Sequence, residues 1–224
     1  FRRVLFRSVL ALGAFAIAAQ DAPPPLPGVL VVEGMAAPRG VAFDGFGNLI
    51  VADAGTGGDN VMEVPSLEDA TVMATIQYGL TGSVMVVSEE GGAAPWVVGL
   101  PSYAGVTETV GIYRAIPRED SLWLVMTSNG QGGGYWGSSV VELDGASLMT
   151  KTVINLTGYE VANNPDGNEI DSNVADIAWG SDGTLYIVDA GANTLYTWTA
   201  TEGLSVVNSW PENSVPDAIK IADN

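Results

Sequence analysis

The sequence predicts an all-β protein, a partial β-propeller of four-stranded blades, and two observations carry that prediction. The first is the stretch from Asn173 to Gly191, which reads as two short strands around a tight turn. Its residues alternate with a period of two, Ser181-Asp182-Gly183 supplies the turn, and Asp189-Ala190-Gly191 closes the second strand. The second is that this hairpin recurs. Pro38 to Gly55 matches it without a gap, with Ala42 answering Ala178, Gly47 answering Gly183, and Asp53-Ala54-Gly55 answering Asp189-Ala190-Gly191. A weaker copy runs from Arg114 to Val125, and a fourth begins at Val215. Repeats of this kind bury little alone and become stable by packing face to face.

Composition agrees. The 224 residues suffice for one sizeable core, and 47% hydrophobic content excludes a disordered chain. The 28 glycines are spread through the expected turns. With no Cys and no His, thiol chemistry, disulfides and imidazole bases are excluded from these residues. A formal net charge of −18 argues against nucleic acid, which needs a basic surface.

Taken in order, residues 1–8 read as an assembly artefact of sequencing-adapter type, a basic leader segment being the other reading. Val9 to Ala19 is an apolar run too short to span a bilayer but suited to a signal-peptide core. Residues 20–28 form a Pro-rich spacer. The expectation is a secreted or periplasmic protein with no transmembrane anchor in its mature chain. The propeller domain then covers residues 29–224.

Val29 to Val32 reads as a lone strand that would complete a last blade. Blade one is Gly40–Phe43, Leu49–Asp53, Ser83–Val87 and Trp96–Gly99. Blade two is Gly111–Ile116, Ser121–Thr127, Ser138–Leu143 and Thr150–Leu156, and it has Met126-Thr127-Ser128 where Asp-Ala-Gly would stand. Blade three is Val174–Trp179, Leu185–Asp189, Thr194–Thr199 and Leu204–Trp210. Val215 to Ile221 opens a fourth. Three complete blades with strands of others imply a longer protein, with six blades by analogy with related repeats.

Connection lengths point to one face. The turns between first and second strands and between third and fourth strands are short. The long segments are Ala54–Gly82, Ser128–Gly137 and Thr157–Asn173, and up-and-down strand order puts all three on the same face. First strands start there and second strands end there, near the channel. Arg39, Asp53, Asp176, Asp189 and Asp217 are therefore candidates to converge at the channel mouth. Asp53 and Asp189 have a second reading, in which Asp-Ala-Gly is punctuation and the Asp accepts backbone N–H bonds.

Other candidates lie in the long segments. Asn163 to Asn173 is dense in oxygen ligands, and Asp166, Asn168 and Asp171 are weak candidates for Ca²⁺, although the spacing is not that of a calcium loop. Gly130 to Gly137 lacks the Lys and helix of a phosphate loop. It could present Tyr135 and Trp136 to a planar ligand, or bury both rings under itself. No Ser-His-Asp arrangement is possible, so catalysis would need carboxylates, Tyr, Arg114, Arg118 or a metal.

Several words of this sequence resemble one family. They are Pro38-Arg39-Gly40-Val41-Ala42-Phe43, Tyr78-Gly79-Leu80-Thr81-Gly82-Ser83-Val84, Val97-Val98-Gly99-Leu100-Pro101-Ser102, Ala162-Asn163-Asn164-Pro165-Asp166-Gly167 and Val188-Asp189-Ala190-Gly191. Together they resemble the ScyD/ScyE family, named for proteins encoded with the biosynthesis of scytonemin, an extracellular pigment. The resemblance implies an exported six-bladed propeller of NHL type; it implies no catalytic set. On it rests the expectation of a protein that binds a small molecule, or an extracellular protein or glycan, on its long-loop face. A hydrolase resembling propeller lactonases and strictosidine-synthase-like enzymes is the first alternative. A structural, protein-binding module is the second.

Overall fold

A computed structural model describes residues 28–65, 71–127 and 136–222. The leader segment, Gly130 to Gly134 and Tyr135 lie outside the described residues. All regular structure belongs to the unit that starts at Val31.

The chain forms blades of antiparallel strands, in sequence order. Blade one comprises β1 (Pro38–Phe43), β2 (Leu49–Asp53), β3 (Asn60–Pro65), β4 (Met73–Val87) and β5 (Ala93–Ala104). Blade two is β6 (Thr109–Arg118), β7 (Ser121–Met126), β8 (Ser139–Asp144) and β9 (Thr150–Asn155). A short helix, α1 (Leu156–Asn163), leads to blade three. That blade is β10 (Val174–Trp179), β11 (Leu185–Asp189), β12 (Thr194–Thr199) and β13 (Gly203–Ser209), paired in that order.

Period-two alternation builds the core. On β7, Leu122, Leu124 and Met126 face one way, into a cluster with Ile50, Ala52, Val84 and Ile112. Trp123 and Val125 face the other way, into a cluster with Ile177, Leu185, Ile187 and Tyr196. Blade two is thus covered on both faces, and every β7 residue is buried. The first-to-second strand turns also behave as the sequence implies. Asp44 accepts the Asn48 N–H at 2.9 Å and Asp182 the Thr184 N–H at 3.0 Å. The glycines between them, Gly47 and Gly183, take φ of 88° and 85°.

Four expectations need correction. Val29–Val32 forms no strand, and Val29 to Val31 are exposed. Val215–Ile221 forms none either; it is held as coil by bonds from the Ser214 and Val215 N–H groups to Asn193 Oδ1 and from the Ile219 N–H to Asp176 Oδ2. In both cases no neighbouring strand offers a ladder, and a lone strand gains nothing from extension.

Ala54–Gly82 is not a simple loop. β3 pairs with the first half of β4 to make a projecting hairpin, closed by Met62, Val64, Ile76, Tyr78, Tyr103 and Val110. Finally, the last strand of blade one does not end at Gly99. β5 overruns its expected end and pairs Ser102, Tyr103 and Ala104 with Gly111, Val110 and Thr109 of β6. Among the described residues no helix is long and apolar enough to cross a membrane.

Candidate functional site

All three inner strands carry a register shift near the point where their pairing with the second strand begins. It falls between Pro38 and Val41 in β1, between Ile112 and Arg114 in β6, and between Val174 and Asp176 in β10. A bulge re-aims the side chains beside it. Here the shifts turn Arg39, Arg114 and Asp176 into a common cleft of about 500 Å³, which Asp217 also lines. β1 and β6 approach closely there. A Cβ on Gly40 would stand 2.6 Å from the Tyr113 carbonyl oxygen and 2.5 Å from Arg114 Cγ, so only glycine fits.

The cleft is held by charge-assisted bonds. Arg114 Nη1 donates to Asp176 Oδ1, which also accepts the Ile177 N–H at 2.8 Å. Asp176 is nearly buried, while the Arg114 side chain keeps 31% of its surface exposed. Arg114 Nε is buried without a hydrogen-bond partner. Arg39 donates to the Thr109 carbonyl and lies 3.6 Å from Glu108. Asp217 is exposed at the rim. Two guanidinium groups and two carboxylates thus meet at one opening, an arrangement suited to binding a small polar molecule through charged hydrogen bonds.

Of the residues expected at the channel mouth, Arg39, Asp176 and Asp217 come together. Asp53 and Asp189 do not, and the reason is their hydrogen bonding. Asp53 accepts the N–H groups of Ala36 at 3.0 Å, Ala37 at 2.8 Å and Gly55 at 3.0 Å. Asp189 accepts the Ser172 hydroxyl at 2.5 Å and the N–H groups of Asn173 at 2.7 Å and Ala192 at 3.1 Å. Each carboxylate staples the coil that precedes its blade to the turn that follows its second strand. Burial pushes the Asp189 carboxyl above its ordinary range, against these bonds.

The second blade explains itself by contrast. The backbone bond that Ala54 and Ala190 make to Ala37 and Asn173 is kept there by Thr127 to Gly111. The incoming segment is already paired with β5, so no carboxylate is required and Met126 can fill the core instead.

The oxygen-rich stretch forms a knot of turns. Asp166 accepts the Asn168 N–H, the Asn168 amide and the Asn193 amide, each at 2.9 Å. Burial works against that carboxylate, but these bonds hold it below its ordinary range. Asn168 also donates to the Pro211 carbonyl at 3.1 Å. Asp171 lies apart, with one oxygen buried and unpartnered, its carboxyl raised by burial and then by Glu169 and Asp166. Asn168 and Asp171 line a second cleft, of about 390 Å³. Among the described residues no group of three acidic side chains gathers as a metal site. Trp136 packs partly buried against the cluster between blades one and two.

Two residues were not singled out for the cleft from the sequence. Arg114 was visible only as one of few basic side chains, and Tyr113, which also lines it, carried no signal. Their placement depends on the β6 bulge, which no residue type announces.

No family model and no curated protein matches the chain. Among solved structures it is similar to selenomethionine-substituted virginiamycin B lyase from Staphylococcus aureus, at 11% identity and a TM-score of 0.34, over 81% of this chain and 73% of that one.

Proposed function

We propose that this is an exported propeller protein of ScyD/ScyE type that binds a small anionic or zwitterionic molecule in the inner-strand cleft. One observation carries the reading: inner strands of three blades deliver Arg39, Arg114 and Asp176 to one opening, beside Asp217. In a chain with 8 basic against 26 acidic residues, two arginines at a single cleft mark the place where an anion is least repelled. The carboxylate of Asp217 at the rim suits an ammonium or hydroxyl group on the same molecule. The apolar run Val9–Ala19 supports export.

The test is a thermal-unfolding screen with small carboxylates, phosphates, amino acids and neutral sugars. A carboxylate or amino acid is expected to raise the melting temperature. Arg39→Gln is expected to weaken that ligand by roughly 10- to 100-fold, the worth of one charge-assisted hydrogen bond. A response confined to neutral sugars, or an anion response that Arg39→Gln and Arg114→Gln leave unchanged, overturns the reading.

A further inference from the structure

Glu160 is the side chain that the fold accounts for least. Asn155 caps α1 by accepting the Gly158 N–H at 2.8 Å, and Asn164 ends it in the left-handed conformation at φ 38°. Between the caps, Leu156 and Glu160 stand four residues apart and so share the inward face. Leu156 belongs to the core between blades two and three. Tyr159 packs edge-on against Tyr196 of β12, with ring centroids 5.4 Å apart. Docking the helix by these contacts carries Glu160 to complete burial.

Neither carboxylate oxygen of Glu160 has a hydrogen-bond partner within 3.5 Å, and the Tyr196 hydroxyl beside it is a donor that favours its ionised form. The Tyr196 hydroxyl, Thr157 Oγ1 and one Asp171 oxygen are buried and unpartnered as well. Among the described residues, the one other such side-chain atom is Arg114 Nε, so the unmet polar groups concentrate around α1. The titratable groups facing Glu160 come from every element packed there. They are Asp166 and Asp171 on the link that follows (with Glu169 beyond Asp171), Asp189 at the end of β11, and Tyr196 on β12, against which Tyr159 of α1 packs. All are carboxylates or phenols. An ionised Glu160 would be a buried charge beside three others of the same sign, and a carboxyl so placed takes a proton instead.

We propose that Glu160 is a proton-binding site that latches α1 and the link after it onto blade three: docked while it carries its proton, and loosened when it ionises. The link carries Asn168, Asp171 and Asn173, which line the cleft of about 390 Å³, so the shape of that cleft depends on pH. Burial, then the charges of Asp166 and Asp189, pushes the Glu160 carboxyl from its ordinary 4.5 up to about 7.

The sign follows from the raised value. Below about pH 4.5 the group is protonated in both folded and unfolded chains, and its contribution to stability is fully present. Between 4.5 and about 7 the unfolded chain releases a proton that the folded chain keeps, so stability falls as pH rises. Above 7 the loss is complete, ~300-fold in the folding equilibrium constant for that difference. Asp171 and Asp189, also raised, act in the same direction, and Asp166, lowered, acts in the opposite one. A variant is therefore needed to isolate Glu160.

Urea unfolding of the chain and of Glu160→Gln, compared from below pH 4.5 to above pH 7, supplies the test. The wild type is expected to lose ~300-fold more of its folding equilibrium constant than the variant across that window. Parallel pH curves overturn the proposal. Carbon-13 NMR of glutamate-labelled wild type does not depend on the variant folding: one carboxyl is expected to titrate near 7, and a set that all titrates near 4.5 overturns the assignment. Calcium added above pH 7 is expected to leave the lost stability unrestored. Full restoration would make this a cation site and overturn the proton latch.

Discussion

Asp189→Ala is expected to destabilise the protein by about 3–5 kcal/mol, measured by urea unfolding at neutral pH. The substitution strands three donors at once: the Ser172 hydroxyl and the N–H groups of Asn173 and Ala192. Ser172 and Ala192 are buried, and each buried donor left unpaired costs about 1–3 kcal/mol, while Asn173 is exposed and loses less. Ser172 adds a second tie, because its carbonyl accepts the Ser138 hydroxyl from the entry to β8. The staple therefore joins blade three to the link and the link to blade two. Relief of the repulsion between Asp189 and Glu160 offsets part of the loss.

Asp53→Ala, the matching change in blade one, is expected to cost only about 1–2 kcal/mol. Asp53 keeps 8% of its surface, whereas Asp189 keeps none, and of the Asp53 donors only Gly55 is buried, against Ser172 and Ala192 for Asp189. Equal costs at the two positions, or a loss below about 1 kcal/mol at Asp189, would show that the coil before each blade is held by something other than the carboxylate.

Those two aspartates show what the sequence made legible. The Asp-Ala-Gly repeat marked the ends of the second strands of blades one and three, and period-two alternation located every strand of blades two and three. Both signals are local: a turn residue satisfies its own neighbourhood, and alternation reports which face is buried. The β3 hairpin and the β5–β6 ladder were not legible, because whether a segment becomes a strand depends on an edge that another segment offers.

The cleft was half legible for the same reason. Strand order alone placed Arg39, Asp176 and Asp217 on one rim. Which side chains turn inward there depends on three bulges, and each is a register adjustment between paired strands with no residue signature of its own. Asp53 and Asp189 occupy the same rim by topology, yet their hydrogen bonds turn them away from the cleft. Topology therefore predicted the rim, and hydrogen-bond satisfaction decided its chemistry.

The seam between blades two and three supplies the other large effect. Trp123 on β7 meets Trp179 of β10 edge-on, at 5.5 Å between centroids and 73° between planes, and Trp198 of β12 at 6.2 Å and 66°. Arg118 lies 4.7 Å above the Trp179 ring, so a cation closes the outer end of the aromatic cluster. Trp123 is the member that both other rings touch, and it is nearly buried. Trp123→Ala is expected to cost about 3–5 kcal/mol, from lost apolar burial and the cavity left between blades whose strands do not pair with each other. No backbone ladder bridges this seam, because β9 and β10 belong to different sheets. Side-chain packing, with the Arg114–Asp176 ion pair and the polar staple at Ser172 and Asp189, must therefore hold it. Trp123→Phe, which keeps one edge-on contact, is expected to cost clearly less than Trp123→Ala in the same urea titration. A Trp123→Ala loss below about 1 kcal/mol would place the strength of the seam in the α1 link instead, where Leu156 and the protonated Glu160 dock.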